Sequence, residues 1–245
     1  MNFAEMRQHL MLGIVRRLSR VSEAFVLRGG LLTALWIAPR GRPTRDLDFV
    51  GDFVFDVDDT ARRFAPALAL DLDDEVQIDA TSLRASPMWI ESEFPGVRLG
   101  VRLGLRAIDQ ELSIDVGFND PLVPAAVERM VDGDSIRVVR PETQLAWKLH
   151  ALAEMTTSWR PKDLADSKAI IDHVPLVDDD LVPAITAAFR SRGFSRSSAV
   201  ELFDAAHWPT KTSRLRWDKH TPALGDAIAA VRTRLAPVFD NLPTW

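Results

Sequence analysis

Two aspartates, Asp46 and Asp48, stand two residues apart in a segment that continues with Phe49 and Val50. Because the side chains of a strand alternate between its faces, a strand here would place both carboxylates on one face and Leu47 on the other. Adjacent carboxylates repel each other unless a cation lies between them, and hard ions such as Mg²⁺ prefer oxygen ligands. The pair indicates a divalent-metal site, although an isolated Asp-x-Asp is more often a solvated edge.

Two further features fit a site for a metal and a triphosphate. The glycine pair Gly29 and Gly30 follows a short apolar strand, and glycines let backbone N–H groups approach phosphate. An ordinary strand-to-helix turn is the alternative. A third carboxylate, Asp115, lies in the middle of the apolar segment 112–118, where it is costly unless paired or bound to metal. Its alternative is an aspartate satisfied by Arg102 or another sheet neighbour.

These segments resemble the nucleotidyltransferase superfamily typified by DNA polymerase β, and more specifically the AbiEii/AbiGii-type toxins of type IV toxin–antitoxin systems. The first matching motif consists of Gly29, Gly30, Arg42, Thr44, Asp46, Leu47, Asp48 and Phe49. The second consists of Pro141, Glu142, Lys148, Leu149, His150, Ala151, Leu152, Arg160, Lys162, Asp163 and Asp166. The resemblance spans residues 25–172. The chain departs from it at Trp147, where the family commonly has glutamate, and near Met155, where it often has arginine.

The resemblance implies a metal-dependent transfer of NMP from an NTP. Asp46 and Asp48 would bridge two Mg²⁺ ions, with Mn²⁺ as a substitute. Asp115 would ligate the ion on the acceptor side and act as, or help, the general base. Gly29 and Gly30 would hold the β- and γ-phosphates at the positive end of the following helix.

Six charged residues complete the expected site. Arg28 and Arg45 flank the same site and could contact phosphate, although surface arginines are common. Lys148 lies on an apolar helical stripe, so it either extends to solvent or meets a buried anion, and the family motif favours the triphosphate. Its removal should then harm folding little. The remaining candidates are Lys162, Asp163 and Asp166. Asp163 and Asp166 could order Lys148 or Arg160 or help to position the base. Lys162 and Asp166 could instead form an ordinary helical ion pair.

Composition bounds the class of protein. The 245 residues suffice for one large or two small domains, and the lack of cysteine excludes disulfides and thiolate metal sites. No apolar run approaches the ~20 residues of a membrane-spanning helix, and the first ten residues do not form a secretory signal. The five histidines have no metal-binding spacing. A cytoplasmic protein without a membrane partner is expected.

Basic residues concentrate towards the C-terminus. Residues 136–245 hold 15 Lys and Arg against 13 Asp and Glu, whereas residues 1–135 hold 15 against 22. The difference is carried by Arg190, Arg192, Arg196, Lys211, Arg214, Arg216 and Lys219, interleaved with Phe194, Trp208 and Trp217. Cations for phosphates and rings for unstacked bases are how single-stranded ends are held. An ordinary solvated face is an equal alternative.

The pattern of elements predicts an α/β (α+β) fold with a mixed sheet, followed by a helical domain. Helices are expected at 3–20, 31–38, 58–70, 142–155, 161–173, 179–192, 196–206 and 222–235. Strands are expected at 25–27, around Asp46–Asp48, and at 75–83, 97–107, 111–118 and 135–139. The strand with Asp115 should form a hairpin that brings it alongside the earlier pair. We expect a polymerase-β-like catalytic domain at 1–135 and a helical domain at 136–245 that completes the nucleotide and acceptor site.

These observations favour a toxin-like nucleotidyltransferase that acts on an RNA acceptor, with the tRNA 3′ end inherited from the resemblance and a cognate antitoxin as a further partner. One alternative modifies a small molecule of the aminoglycoside type, for which Asp71, Asp73, Asp74 and Glu75 could line an acidic pocket. A protein target is another. An alternative of a different class is a non-catalytic binding module.

Overall fold

The computed structural model of the chain describes residues 2–105, 108–154, 161–204 and 223–245. They belong to two compact units. The first unit comprises Met1–Asp120 and Ala126–Val139, and the second comprises Pro121–Ala125 and Arg140–Trp245. Each unit has its own buried apolar residues.

The first unit combines helices with all strands of the described sheet. Its helices are α1 (Phe3–Ser19), α2 (Gly29–Trp36) and α3 (Val57–Leu68). Its strands are β1 (Phe25–Arg28), β2 (Leu47–Gly51), β3 (Val76–Met88), β4 (Gly96–Leu105), β5 (Ile108–Gly117), β6 (Val127–Val131) and β7 (Asp134–Val138).

The strands form one mixed sheet in the order β3-β4-β5-β2-β1-β7-β6. The pairs β2–β5 and β1–β7 are parallel, and the others are antiparallel. The predicted hairpin is confirmed, because β4 and β5 pair from Leu105↔Ile108 to Gly96↔Gly117. It brings β5 against β2, with Asp48 directly opposite Asp115.

Aromatic and aliphatic side chains fill one face of this sheet. Phe25 of β1 lies edge-on to Phe49, Phe53 and Phe64, with ring centroids 5.4–6.1 Å apart. Alternation along β1 and β2 directs Phe25 and Phe49 to the same face, where burial of apolar surface stabilises the fold. Asp48 is adjacent to Phe49 in β2 and therefore lies on the other face.

The second unit is helical. It contains α4 (Pro141–Ala153), α5 (Pro161–His173), α6 (Asp178–Ser191), α7 (Arg196–Val200), a short 3₁₀ helix (Glu201–Phe203) and α8 (Leu224–Asp240). Helix α4 is buried from Glu142 to Leu152 and packs against α5 and α6. Its core side chains include Leu145, Leu149, Ile185 and Phe189, all fully buried.

The structure corrects several predicted boundaries. Strand β2 begins at Leu47, so Asp46 precedes the strand and is exposed. Strand β6 was not predicted, because its side chains are mostly exposed and show no apolar alternation. Helix α8 continues to Asp240 through Pro237. Strand β7 belongs to the first unit, whose last segment runs to Val139.

None of the described helices is long and apolar enough to cross a membrane.

Candidate active site

The carboxylate of Asp48 lies against the glycine that begins α2. A Cβ atom added to Gly29 would be 2.1 Å from Asp48 Oδ2 and 2.7 Å from its Cγ. The backbone of Gly29 also has a φ of +79°, which L side chains rarely adopt. Two independent requirements, the backbone angle and the lack of space for a Cβ atom, therefore select glycine here. The Asp48 carboxylate lies beside this glycine, at the N-terminus of α2.

The next glycine faces the segment that leads into β2. A Cβ atom on Gly30 would lie 2.7 Å from Thr44 Oγ1 and 3.4 Å from Arg42 Nη2. The Thr44 hydroxyl donates a hydrogen bond to the carbonyl oxygen of Asp46 at 3.2 Å. The residues of the first sequence motif thus come together around the start of α2.

Four charged residues form one row across adjacent strands of the sheet. Arg28 of β1 is the register partner of Asp48, Asp48 is that of Asp115, and Asp115 is that of Arg98. Register partners project from the same face, and neighbouring strands lie about 4.8 Å apart. The two carboxylates are therefore neighbours, with an arginine at each end of the row.

Arg98 binds both oxygens of Asp115. Its Nε donates to Oδ1 at 2.8 Å and its Nη2 donates to Oδ2 at 2.7 Å, the bidentate geometry of strong arginine–carboxylate pairs. The Asp115 side chain is 16% exposed and that of Arg98 is 51% exposed. The hydrogen bonds to Asp115 and then its charge raise the pKa of Arg98, and the charges of Asp46 and Asp48 add to this. Arg98 therefore lies in the field of all three carboxylates.

The donor set suits a hard divalent cation in chemical type, because carboxylate oxygens of two neighbouring strands face the same side. The lack of a side chain at Gly29 leaves the room in which the Asp48 carboxylate lies. Among the described residues, however, no three His, Cys, Asp or Glu side chains converge as a metal-binding group. Asp46 lies outside β2, and Arg98 engages both oxygens of Asp115. The metal roles of these aspartates stay a prediction.

The two arginines expected at phosphate have other contacts. Arg28 Nη1 donates to Asp120 Oδ2 at 2.6 Å. Its guanidinium passes over Gly117, where a Cβ atom would lie 2.7 Å from Nη2. Arg45 is exposed, and its carbonyl oxygen accepts a hydrogen bond from Arg7 Nη1 at 3.1 Å.

In the second unit, Lys148 meets a buried anion. Its Nζ donates to Asp166 Oδ2 at 2.7 Å and to Asp163 Oδ1 at 3.4 Å. The side chains of Lys148 and Asp166 are 9% and 3% exposed. Asp163 and Asp166 therefore order Lys148, which is one of the predicted possibilities. The expectation that removing Lys148 orphans no partner is wrong, because the carboxylate of Asp166 is buried against it.

Other predicted residues are placed as follows. Lys162 is exposed on α5. Arg160 and Met155 lie outside the described residues, as do Trp208, Lys211, Arg214, Arg216, Trp217 and Lys219 of the basic segment. Arg196 donates to the carbonyl oxygens of Leu242 and Phe239. The acidic stretch at 71–75 does not leave all its carboxylates to solvent, since Asp74 forms a bidentate pair with the buried Arg17 at 2.7 Å.

Sequence reasoning missed Arg98 and Asp120. Arg98 alternates with apolar residues on β4 in the same way as Arg102 does, and local pattern cannot tell which arginine meets Asp115. The structure assigns that place to Arg98, whereas Arg102 Nη2 pairs with Asp79 Oδ2 at 2.6 Å. Asp120 follows β5 without any pattern that would indicate a partner.

Solved structures share this fold. JHP933 from Helicobacter pylori matches with a TM-score of 0.59 and 16% sequence identity, over 99% of this chain and 94% of that chain. A proposed nucleotidyltransferase from H. pylori matches with a TM-score of 0.55 and 14% identity, over 99% and 97% of the two chains. No curated protein sequence matches the chain. At these identities the likeness shows the fold alone.

The family model described as "Nucleotidyl transferase AbiEii toxin, Type IV TA system" matches residues 14–242. Since this range is most of the chain, the chain belongs to that family. The resemblance inferred from the motifs is confirmed, and the chain is a nucleotidyltransferase of a toxin–antitoxin family.

Proposed function

We propose that the protein transfers a nucleotidyl group from an NTP to RNA, with the tRNA 3′ end as its acceptor, and that a divalent metal ion, Mg²⁺ or Mn²⁺, assists the transfer. The observation that carries this proposal is the placement of Asp48 against Gly29 and opposite Asp115. It joins a carboxylate pair to a helix N-terminus, which are the two features that a metal-bound triphosphate needs.

Asp46, Asp48 and Asp115 would hold the metal. When bound, such ions neutralise charge on the phosphates and activate the attacking oxygen. Asp115 would also accept the proton of the acceptor hydroxyl, because its carboxylate lies beside that of Asp48 on the same face. The protein's own task is largely to position the two reactants, since phosphoryl chemistry requires little covalent participation.

The nucleotide would be held by backbone and basic groups. Gly29 and Gly30 begin α2 and would direct its positive end at the β- and γ-phosphates. Arg28 and Arg45 would add charge, with Arg28 oriented by Asp120.

In the helical unit, Lys148 would act on the triphosphate as a positioned cation. Asp166 and Asp163 fix its ammonium group, so little side-chain entropy remains to be lost on binding. Lys162 on the same helix as these aspartates would supply further positive charge. The basic and aromatic residues between Arg190 and Lys219 would hold the acceptor strand.

The decisive experiment incubates the protein with each α-labelled NTP, Mg²⁺ and total RNA. Label should appear on tRNA. Asp48→Asn, which keeps the side-chain shape, should lower the rate by about 10²-fold or more, as does loss of one charged contact to a transition state. Asp79→Asn is the matched control, because Asp79 is a partly exposed aspartate on β3 that pairs with Arg102.

Three outcomes redirect or overturn the proposal. Label on protein alone would indicate a protein target, and drug resistance without growth inhibition would indicate a small-molecule acceptor. If neither RNA nor protein carried label and Asp48→Asn retained every phenotype of the wild type, the protein would be a non-catalytic binding module. The family predicts an antitoxin, so a small gene directly upstream should relieve growth inhibition when co-expressed.

A further inference from the structure

One cation of the carboxylate site has no role in the proposed reaction. Arg98 engages both oxygens of Asp115 through two hydrogen bonds. Asp115 is in turn directly opposite Asp48 on the neighbouring parallel strand. Of the two arginines in this row, Arg98 is therefore the one seen to hold a carboxylate that would receive a metal, whereas Arg28 donates to Asp120.

The pair limits what Asp115 can do. A carboxylate that accepts a bidentate guanidinium has its most favourable lone pairs directed at that group. A divalent cation bound by Asp48 and Asp115 would need at least one of the same oxygens. The two cations cannot both have full access to Asp115.

Arg98 can leave without disturbing the core. Half of its side chain is exposed, against 16% for Asp115, and it lies on the polar face of β4. An arginine on such a face can extend its stem towards water and keep its guanidinium solvated. Asp115, held in the middle of β5 between two neighbouring strands, cannot move in the same way.

We propose that Arg98 is a positioning residue that competes with the divalent cation for Asp115: it holds the carboxylate until the cation binds and then moves towards solvent. This inference rests on the proposed metal-dependent function. Its consequence is that Arg98 lowers the affinity for the cation and so sets the cation concentration at which the site fills.

Mn²⁺ binding, measured by titration calorimetry and by the loss of the free-ion EPR signal, tests this without any turnover. Arg98→Ala should tighten Mn²⁺ binding by about tenfold or more, because both the competitor and its charge are removed. Arg98→Lys keeps the charge but cannot hold two oxygens, so it should tighten binding by a smaller factor. Arg102→Ala is the matched control, since Arg102 lies four residues further along β4, on the same face, and pairs with Asp79.

A double-mutant cycle distinguishes competition for the Asp115 carboxylate from a general electrostatic effect of the Arg98 charge on the cation. If Arg98 acts through Asp115, then Arg98→Ala should change the Mn²⁺ affinity much less in an Asp115→Asn background. The inference would be overturned if Arg98→Ala changed the Mn²⁺ affinity equally in both backgrounds. It would also be overturned if Arg98→Lys bound Mn²⁺ as the wild type does, or if Arg102→Ala tightened Mn²⁺ binding as much as Arg98→Ala.

The failure of this inference and that of the proposed function are distinguishable. A protein that binds Mn²⁺ with the predicted cycle but labels no RNA would retain the role of Arg98 and lose the proposed acceptor. RNA labelling with no effect of Arg98→Ala on Mn²⁺ affinity would retain the proposed acceptor and remove the role of Arg98. Absence of Mn²⁺ binding by the wild type and both Arg98 variants would overturn the competition and the metal site together.

Discussion

Gly29 and Asp48 are matched to each other, because the Asp48 carboxylate occupies the space where any other residue at position 29 would place its Cβ atom. The relationship links the glycine turn of the sequence motif to its Asp-x-Asp segment, which begins 16 residues after Gly30. It also explains why the two features occur together: the first creates the room in which the second lies.

Gly29→Ala should therefore both destabilise the protein and displace the Asp48 carboxylate. A positive φ costs an alanine about 1–2 kcal/mol, and an added methyl group in a filled space about 1–3 kcal/mol. We expect a loss of about 2–5 kcal/mol in the free energy of unfolding, measured by urea denaturation, together with loss of nucleotidyl transfer.

Gly133→Ala is the control for backbone strain alone. Gly133 has a φ of +86° and no atom within 4 Å of the position of an added Cβ. It should lose only about 1–2 kcal/mol and keep its activity. Equal losses in the two variants would mean that the contact with Asp48 has no energetic weight.

Lys148→Met should lower stability markedly, in contrast to the expectation from sequence. The variant leaves the Asp166 carboxylate buried at 3% exposure without its ammonium partner. Removing one member of a buried ion pair costs about 3–5 kcal/mol. Urea denaturation should show a loss of that order, and Lys148→Met/Asp166→Asn should recover part of it.

Lys168→Met provides the comparison with a surface pair. Lys168 pairs with Asp172 one turn further along α5, and both side chains are more exposed than those of Lys148 and Asp166. Such pairs contribute about 0–1 kcal/mol. A loss for Lys148→Met as small as that for Lys168→Met would show that Asp166 is solvated or protonated without its partner.

Glu142 of the second motif has a structural role that its position in the chain does not reveal. Its Oε1 accepts a hydrogen bond from the backbone N–H of Val177 at 2.9 Å, at the start of α6. Because Glu142 is 1% exposed, Glu142→Ala should leave that N–H unsatisfied and cost about 1–3 kcal/mol. Glu142→Gln keeps an oxygen acceptor and should cost less; thermal unfolding of both variants gives the comparison, and equal costs would contradict it.

Local patterns predicted the parts of the site that depend on alternation. They gave the strands that carry Asp48 and Asp115 and the hairpin of β4 with β5, because period-two burial is encoded in each segment alone. They could not show that Asp46 lies outside the strand. Strand β2 pairs with β1 only as far as Asp48 and with β5 only as far as Leu47, so no neighbouring strand extends to Asp46. The end of a strand is fixed by its partners.

Partners of buried charges were equally beyond local pattern. Arg98 and Arg102 occupy equivalent positions in the alternation of β4, and the register with β5 decides that Arg98 meets Asp115. The anion that Lys148 meets is Asp166, 18 residues later on another helix. Periodicity identified the buried lysine, but the packing of α4 against α5 identified its partner.

Asp134 should make stability depend on pH in the acid range. Its two oxygens accept hydrogen bonds from Arg20 Nε and Arg16 Nε, each at 2.7 Å. The hydrogen bond from Arg20 lowers the pKa of Asp134 despite the opposing effect of burial, and Arg16 lowers it further. A pKa below that of the unfolded chain means that the stabilisation is complete above about pH 4, the unfolded value, and is lost as the pH falls through the folded value.

Asp134→Asn should remove this contribution, which anchors α1 to β7. The free energy of unfolding, measured by urea denaturation from about pH 7 to about pH 3, should differ most between wild type and variant at the neutral end. The two curves should converge as acid protonates Asp134 in the wild type. If the free energies of unfolding of wild type and Asp134→Asn differed by the same amount at every pH, the loss would come from altered packing and not from the charge of Asp134.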